Sequence, residues 1–162
     1  MACLCFAAQS AGPEPSSGTA LEDLRDLARG IYPPLLADRG LVAALEAQSR
    51  KAAVPVSVEA DAVGRYSVDV EATVYFCALE ALQNVAKYAE SDRTVIHLSQ
   101  SNGSLSFEVV DEGRGFDPDA VATGSGLQGM ADRLAAVGGS LEIRSAPGRG
   151  TTVAGRVPVT AV

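Results

Sequence analysis

Residues 94–116, TVIHLSQSNGSLSFEVVDEGRGF, decide the fold. On either side of Asn102-Gly103 the sequence alternates between apolar and polar residues, which is typical of strands with one buried face. Asn-Gly between two such runs is a strong signal for a two-residue hairpin turn. The sequence therefore predicts an antiparallel hairpin, with Phe107 and Val109 on its buried face, that runs directly into an acidic, glycine-rich loop.

The segments around this hairpin alternate between helical and strand-like patterns. The longest helical pattern is Asp69 to Ala89, and a later one, Gly126 to Val137, is stopped by Gly138-Gly139. In chain order the pattern predicts helices over 21–31, 38–53, 69–89 and 126–137, and strands over 54–60, 94–100, 104–110, 140–145 and 151–158. This mixture predicts an α+β two-layer sandwich with a mostly antiparallel sheet.

Composition limits the classes of partner. The chain has 162 residues, and 13 Lys and Arg against 20 Asp and Glu give a net charge of −7. Because an acidic chain repels phosphate backbones, we expect no nucleic-acid partner, and a bound phosphate would need backbone amides, a metal ion or placed cations. Three cysteines are too few for a disulfide framework, and no apolar run approaches the ~20 residues of a membrane span. We expect a cytoplasmic domain.

The longest predicted helix carries four polar residues that could do chemistry, Glu80, Asn84, Lys87 and Tyr88. Spacings of four, three and one place them on one side of a helix. Asn84 could give Mg²⁺ a neutral oxygen ligand, Glu80 could orient or deprotonate a nucleophile, and Lys87 could neutralise a phosphate. A solvated polar face would explain the same spacing.

The loop after the hairpin, Asp111-Glu112-Gly113-Arg114-Gly115, could hold a flat base. An ionised carboxylate only accepts hydrogen bonds, so Asp111 would pair with the amine of adenine and face the carbonyl of guanine unfavourably. An unpaired buried polar group costs about 1–3 kcal/mol, so this one residue could select the base. Gly113 and Gly115 would allow close approach to the backbone. A plain acidic turn is the alternative.

Two more glycine segments follow along the chain. Residues 124–129, GSGLQG, open a predicted helix whose free amides could bind phosphate. The string also matches the dinucleotide pattern G-x-G-x-x-G, but that turn must directly follow a strand, and a polar loop intervenes here. Gly150-Thr151-Thr152 leads into the last strand, where the Thr151 hydroxyl could share a water molecule with Asp111; alone, this segment indicates only a hairpin.

The order and spacing of these four segments resemble the motifs of sensor histidine kinases. Residues 80–89 resemble the N box, Asp111-x-Gly113-x-Gly115 the first glycine box, residues 124–130 the second, and residues 150–152 the closing Gly-Thr motif. Residues 29–36, RGIYPPLL, and the run from Leu127 to Gly139 are similar to the NarL/DegS type. The resemblance extends from about Leu21 to Val159.

The resemblance implies the Bergerat ATP-binding fold, with a mixed sheet and three helices on one face. It also implies a flexible leader over 1–19, the tail of a dimerisation helix and a junction over 20–36, and a catalytic domain over 37–160. The implied partners are ATP, Mg²⁺, a dimerisation and histidine phosphotransfer domain of the same or another chain, and indirectly a response regulator. Residues 117–123 would form a short lid.

The resemblance also implies a role for each residue that matches a motif. Asn84 would bind Mg²⁺ and Glu80 would assist phosphoryl transfer. The remaining positions would contact the nucleotide, and they are Lys87, Tyr88, Asp111, Gly113, Gly115, Gly124, Gly126, Leu127, Gly129 and Thr151.

The chain departs from this family in one respect, because no phospho-accepting histidine matches. His97 is the only histidine, and strand alternation places it on the face opposite Ile96 and Leu98. We therefore expect phosphoryl transfer to a histidine outside this segment. Two other classes remain open: a serine protein kinase of the anti-sigma type, which shares the fold but lacks the junction motif, and a non-catalytic ATP-binding interaction module.

Overall fold

The computed structural model describes residues 32–120 and 124–160. The predicted leader and the predicted helix over 21–31 lie outside these residues. The described elements, in chain order, are α1 (Pro34–Ser49), β1 (Val56–Asp61), α2 (Val68–Asn84), β2 (Thr94–Ser101), β3 (Ser104–Asp111), α3 (Ser125–Ala136), β4 (Ser140–Ser145) and β5 (Thr151–Pro158). A π-helical turn, Val85–Ala89, extends α2.

The five strands form one sheet in the order β1-β2-β3-β5-β4. The β1–β2 pair is parallel, and the other three neighbouring pairs are antiparallel. The helices cover one face of the sheet, where the buried side chains of β2, β3 and β5 form a single core with α1, α2 and α3. The predicted α+β sandwich with a mixed, mostly antiparallel sheet is confirmed. Strands β1 and β4 are its two edges.

The hairpin between β2 and β3 forms where the sequence predicts it. Asn102 and Gly103 have φ angles of 49° and 71°, the left-handed conformation that a type I′ turn requires at both central residues. Phe107 and Val109 are fully buried under the helices. His97 lies on the opposite face, where its Nδ1 is 3.0 Å from Glu59 Oε2.

The central helix α2 begins at a side-chain cap and is buried along most of its length. The Ser67 hydroxyl accepts a hydrogen bond from the Val70 amide at 3.4 Å, satisfying one of the free amides of the first turn. Its apolar residues pack into the core, among them Val74, Cys77 and Ala78 at 0% exposure. This packing fixes the direction of the last turn of α2, which carries the candidate N box.

Helix α1 differs from its predicted range of 38–53. It begins at Pro34, because proline is favourable in the first turn of a helix, where its missing N–H has no helical partner to lose. It ends at Ser49 and is kinked at Gly40, whose φ of 83° is outside the helical region. The helical pattern alone does not reveal a helix that starts on a proline and contains a left-handed residue.

A buried carboxylate joins the first described residues to α2. Glu71 is 1% exposed and accepts hydrogen bonds from Arg65 Nε at 2.9 Å, the Tyr66 amide at 3.0 Å and the Tyr32 hydroxyl at 3.1 Å. Arg65 also donates to the Ala37 carbonyl at 2.9 Å, in the first turn of α1. Burial and the hydrogen bond to Glu71 raise the pKa of Tyr32 above its ordinary value. The entry to the domain is thereby tied to the helix that carries Glu80 and Asn84.

None of the helices within the described part of the chain has both the length and the apolar character needed to cross a lipid bilayer.

Candidate functional site

The last turn of α2 places Glu80 and Asn84 one helical turn apart on the same side of the helix. Glu80 is half-buried and Asn84 is 5% exposed. Within residues 32–120 and 124–160, Asn84 Nδ2 has no hydrogen-bond partner. Because a buried amide without a partner costs folding free energy, this side chain is typical of a position that serves a ligand.

The predicted helix continues beyond Asn84, but its last turn is π-helical. This wider turn, with i to i+5 hydrogen bonds, changes the directions of Lys87 and Tyr88 from those of an α-helix, and such turns are frequent at functional sites. Lys87 is exposed and Tyr88 is half-buried. The turn ends at Glu90, which has a left-handed φ of 51°. Lys87 is therefore an exposed cationic residue at this end of the helix.

The candidate base-selecting residue, Asp111, is the last residue of β3 and is 2% exposed. Its Oδ1 accepts a hydrogen bond from the Gly113 amide at 2.8 Å. Burial raises the pKa of Asp111 above its ordinary value, and the backbone amides of Gly113 and Thr151 partly oppose this by hydrogen bonding to the carboxylate. The carboxylate is thus buried and held by fixed backbone donors.

The first glycine loop packs directly on the end of the N-box helix, which is α2 together with the π-helical turn that extends it. A β carbon at Gly113 would overlap the carbonyl of Ala89, so only glycine allows this approach. The Arg114 amide donates to the same Ala89 carbonyl at 2.8 Å, and Arg114 Nε donates to the Tyr88 carbonyl at 2.8 Å. The first glycine loop and the end of the N-box helix, which are separate in the sequence, therefore form one side of the candidate site. Gly115, with φ of 58°, turns the chain away from it.

The second glycine segment lies against Glu80. Gly124 is buried and is the N-cap residue of α3, without a side-chain cap, and Gly126 is in the first turn. A β carbon at Gly126 would lie 2.7 Å from Glu80 Oε1, so the carboxylate lies directly against the start of α3. Leu127 packs on the core, whereas a β carbon at Gly129 would meet no atom within 4 Å among the described residues. The amides of this helix start are close to the candidate catalytic carboxylate.

The Gly-Thr segment lies beside Asp111. Thr151 is 2% exposed and is paired in register with Asp111 across β5 and β3, so the two side chains share one face of the sheet. The Thr151 hydroxyl is 2.9 Å from Ser145 Oγ on β4. The Ser145 hydroxyl also accepts from the Phe116 amide and donates to the Gly150 carbonyl, both at 2.9 Å. Sequence reasoning missed Ser145, because only the strand register reveals that it adjoins Thr151.

The structure brings the predicted segments together in two groups. Glu80, Asn84 and the start of α3 form one group, and Asp111, Gly113 and Thr151 form the other. The end of the N-box helix, at Ala89, connects the two groups. The predicted lid lies partly outside the described residues. His97 is on the far face of the sheet and takes no part in either group.

Residues 69–161 match the family described as histidine kinase-, DNA gyrase B- and HSP90-like ATPases. This match covers more than half of the chain. The fold and the two groups of residues define the class, and the chain belongs to this ATPase family.

Two curated relatives identify the branch of that family. The chain is 33% identical over 147 residues to the oxygen sensor histidine kinase NreB of Staphylococcus carnosus, and 31% identical over 151 residues to the sensor histidine kinase LiaS of Bacillus subtilis. These alignments cover 86% and 90% of this chain but 42% of each relative. The chain is a catalytic ATP-binding domain of the sensor histidine kinase kind, of the NarL/DegS type that the junction motif predicts.

A solved structure agrees with this assignment. The histidine kinase domain of the blue-light activated histidine kinase EL346 of Erythrobacter litoralis superposes with a TM-score of 0.59 at 26% identity. The superposition covers 94% of this chain and 79% of that domain. The predicted family and fold are thereby confirmed.

Proposed function

We propose that this domain binds Mg-ATP and transfers the γ-phosphoryl group to a histidine located outside this segment. The observation that carries the proposal is the buried carboxylate of Asp111, held at the end of β3 beside Thr151 and next to the end of the N-box helix. A buried acceptor with fixed backbone donors suits the exocyclic amine of adenine, and it disfavours the carbonyl that guanine has at the same position.

The phosphates of ATP would lie between the N-box helix and the start of α3. Amides in the first turn of α3, beyond Gly124, favour negative charge through the helix dipole. Lys87 is exposed and can neutralise a phosphate. The remaining nucleotide contacts that we propose are the backbone and side chains of Tyr88, Gly113, Gly115, Gly126, Leu127, Gly129 and Thr151.

Asn84 is the residue that fits a magnesium ion. It is a nearly buried amide, and amide oxygens are ligands that Mg²⁺ accepts beside phosphate oxygens and water. Its Nδ2, which has no partner in the described part of the chain, would be available to donate to an acceptor such as a phosphate oxygen. When bound, the ion would neutralise charge on the β- and γ-phosphates. Asn84 would hold it, and the half-buried Glu80 would orient or deprotonate the attacking histidine nitrogen.

The transfer would depend mainly on positioning and charge neutralisation, as in-line phosphoryl transfers do. The acceptor histidine would belong to a dimerisation and histidine phosphotransfer domain of the same or another chain. A response regulator would then receive the phosphoryl group. We place this domain in the cytoplasm, where ATP is available.

Titration calorimetry with Mg-ATP tests the binding step, with Mg-GTP and the Asn84→Ala variant as controls. We expect selective ATP binding whose dependence on Mg²⁺ is weakened or lost in Asn84→Ala. Absence of binding at millimolar ATP would refute the proposal.

A second assay tests the transfer step. Labelled ATP is added with a histidine phosphotransfer domain from a kinase of the same type, and the label on that domain is measured. Transfer by the wild type but not by Glu80→Gln is expected. ATP binding without transfer to any supplied domain would instead favour a non-catalytic ATP-binding module.

A further inference from the structure

A row of four polar side chains crosses the sheet at the edge where the base would bind. Thr94 of β2 pairs in register with Asp111 of β3, Asp111 pairs with Thr151 of β5, and Thr151 pairs with Ser145 of β4. Residues that are directly opposite across antiparallel strands project on the same face. The family motifs single out only Asp111 and Thr151, so the roles of the two outer residues are unassigned.

The hydrogen bonds at one end of this row are fully used. Ser145 donates its only hydroxyl proton to the Gly150 carbonyl and accepts from the Phe116 amide. In the 2.9 Å contact between Ser145 and Thr151, Thr151 must therefore be the donor. Since a hydroxyl has one proton, Thr151 presents only lone pairs to its other neighbours and cannot also donate to Asp111.

The hydroxyl at the other end of the row is buried and unused. Thr94 is 0% exposed, and its Oγ1 has no hydrogen-bond partner within residues 32–120 and 124–160. Leaving a buried hydroxyl unpaired costs folding free energy, and valine would fill the same space without that cost. Because the unpaired Thr94 hydroxyl makes the folded domain less stable, we look for its role in binding. Its neighbour in the row is Asp111, the candidate base-binding carboxylate.

We propose that Thr94 is a positioning residue of the base pocket, whose hydroxyl donates to the Asp111 carboxylate when adenine is bound. The inference rests on the proposed function. β Carbons of directly opposed residues are about 4.5–5.5 Å apart, and rotation about the first side-chain torsion of Thr94 moves its hydroxyl among three staggered positions. A donor hydrogen bond from Thr94 stabilises the ionised carboxylate, which is the form that accepts from the adenine amine.

The Asp111 carboxylate can accept enough hydrogen bonds for this arrangement. A carboxylate has about four lone-pair sites. The Gly113 amide occupies one at Oδ1 and the Thr151 amide a second, and the Thr94 hydroxyl and the adenine amine can be accommodated at the other two. Asp111 would then be fixed from two directions, by its own loop and by the neighbouring strand, with its remaining acceptor capacity directed at the base.

The experiment compares Thr94→Val with Thr94→Ser and the wild type in the full chain. Calorimetry measures the affinity for Mg-ATP and for Mg-purine riboside triphosphate, which lacks the amino group that Asp111 would bind. Thr94→Val is expected to weaken ATP binding roughly tenfold and to change binding of the analogue by less than about twofold. Thr94→Ser is expected to retain ATP affinity within about twofold, because it keeps the hydroxyl.

Thermal unfolding without nucleotide supplies a second measurement. Here Thr94→Val should increase stability, although it weakens ATP binding. Thr94→Val is expected to raise the midpoint by about 3 °C, because it removes the unpaired buried hydroxyl. A residue that only packs would lower the midpoint and weaken both nucleotides equally, and that result overturns the proposal. Unchanged ATP affinity in Thr94→Val overturns the proposal for Thr94 but not the proposed function. A wild type that binds no ATP overturns both.

Discussion

Replacing Glu71 by alanine is expected to destabilise the domain by about 3 kcal/mol, although the residue lies nine positions before Glu80. The Tyr66 amide is buried and would lose its acceptor, which costs about 1–3 kcal/mol. The half-buried Tyr32 hydroxyl would lose its acceptor at a cost of about 1 kcal/mol. Arg65 is exposed, and its guanidinium can turn to water when Glu71 is removed.

Urea denaturation followed by circular dichroism measures this effect. The matched control is Glu46→Ala, because Glu46 is an exposed carboxylate on α1, and its replacement should change stability by no more than about 0.5 kcal/mol. Glu71→Gln keeps the shape but loses the charge, and it should cost about 1–2 kcal/mol. A Glu71→Ala variant as stable as Glu46→Ala would show that the Glu71 network contributes nothing to stability.

Three further predictions concern the base pocket, the core and the buried thiol. Because burial raises the pKa of Asp111, ATP affinity should begin to fall above the usual aspartate range as pH is lowered, while affinity for purine riboside triphosphate does not. The same pKa shift means that ionisation of Asp111 lowers the free energy of unfolding as pH rises. Equal pH profiles for the affinities of the two nucleotides would contradict the assignment of Asp111 to the adenine amine. Gly155→Ala should cost about 3 kcal/mol in urea denaturation, because its methyl group would overlap the buried ring of Phe107, whereas Gly64→Ala, which meets open space, should be nearly neutral. Burial raises the pKa of Cys77 to about 12, so with the other two cysteines replaced by serine a thiol reagent should react only after unfolding.

Local patterns predicted most elements of the fold, because each depends on a few neighbouring residues. The left-handed Asn102-Gly103 turn, the buried Phe107 and the bounds of β4 and β5 follow from short-range signals. The start of β1 was predicted two residues early, at Val54, before a proline that cannot donate to a sheet. The placement of β5 between β3 and β4 depends on contacts between distant segments, and no short pattern contains it.

In the candidate site, too, local patterns predict some residues, whereas others depend on contacts between distant segments. The motifs predicted Glu80, Asn84, Asp111 and Thr151 from their spacing, and their assignment to a nucleotide remains a prediction. Ser145 and Thr94 could not be found in the sequence, because each gains its meaning only from the residue opposite it in the sheet. The π-helical turn after Asn84 was also missed, since its apolar spacing fits an α-helix as well.

The two edges of the sheet have a consequence for how the domain behaves at high concentration. An exposed strand edge is a template for pairing with another chain, which is the first step toward fibrous aggregates. Strand β1 carries the exposed acids Glu59 and Asp61, and β4 carries Glu142 and Arg144. Two β1 edges brought together would place like charges side by side, in a chain whose net charge is already −7. The β1 edge therefore resists strand addition by a second copy of the domain, because its exposed acids would repel each other.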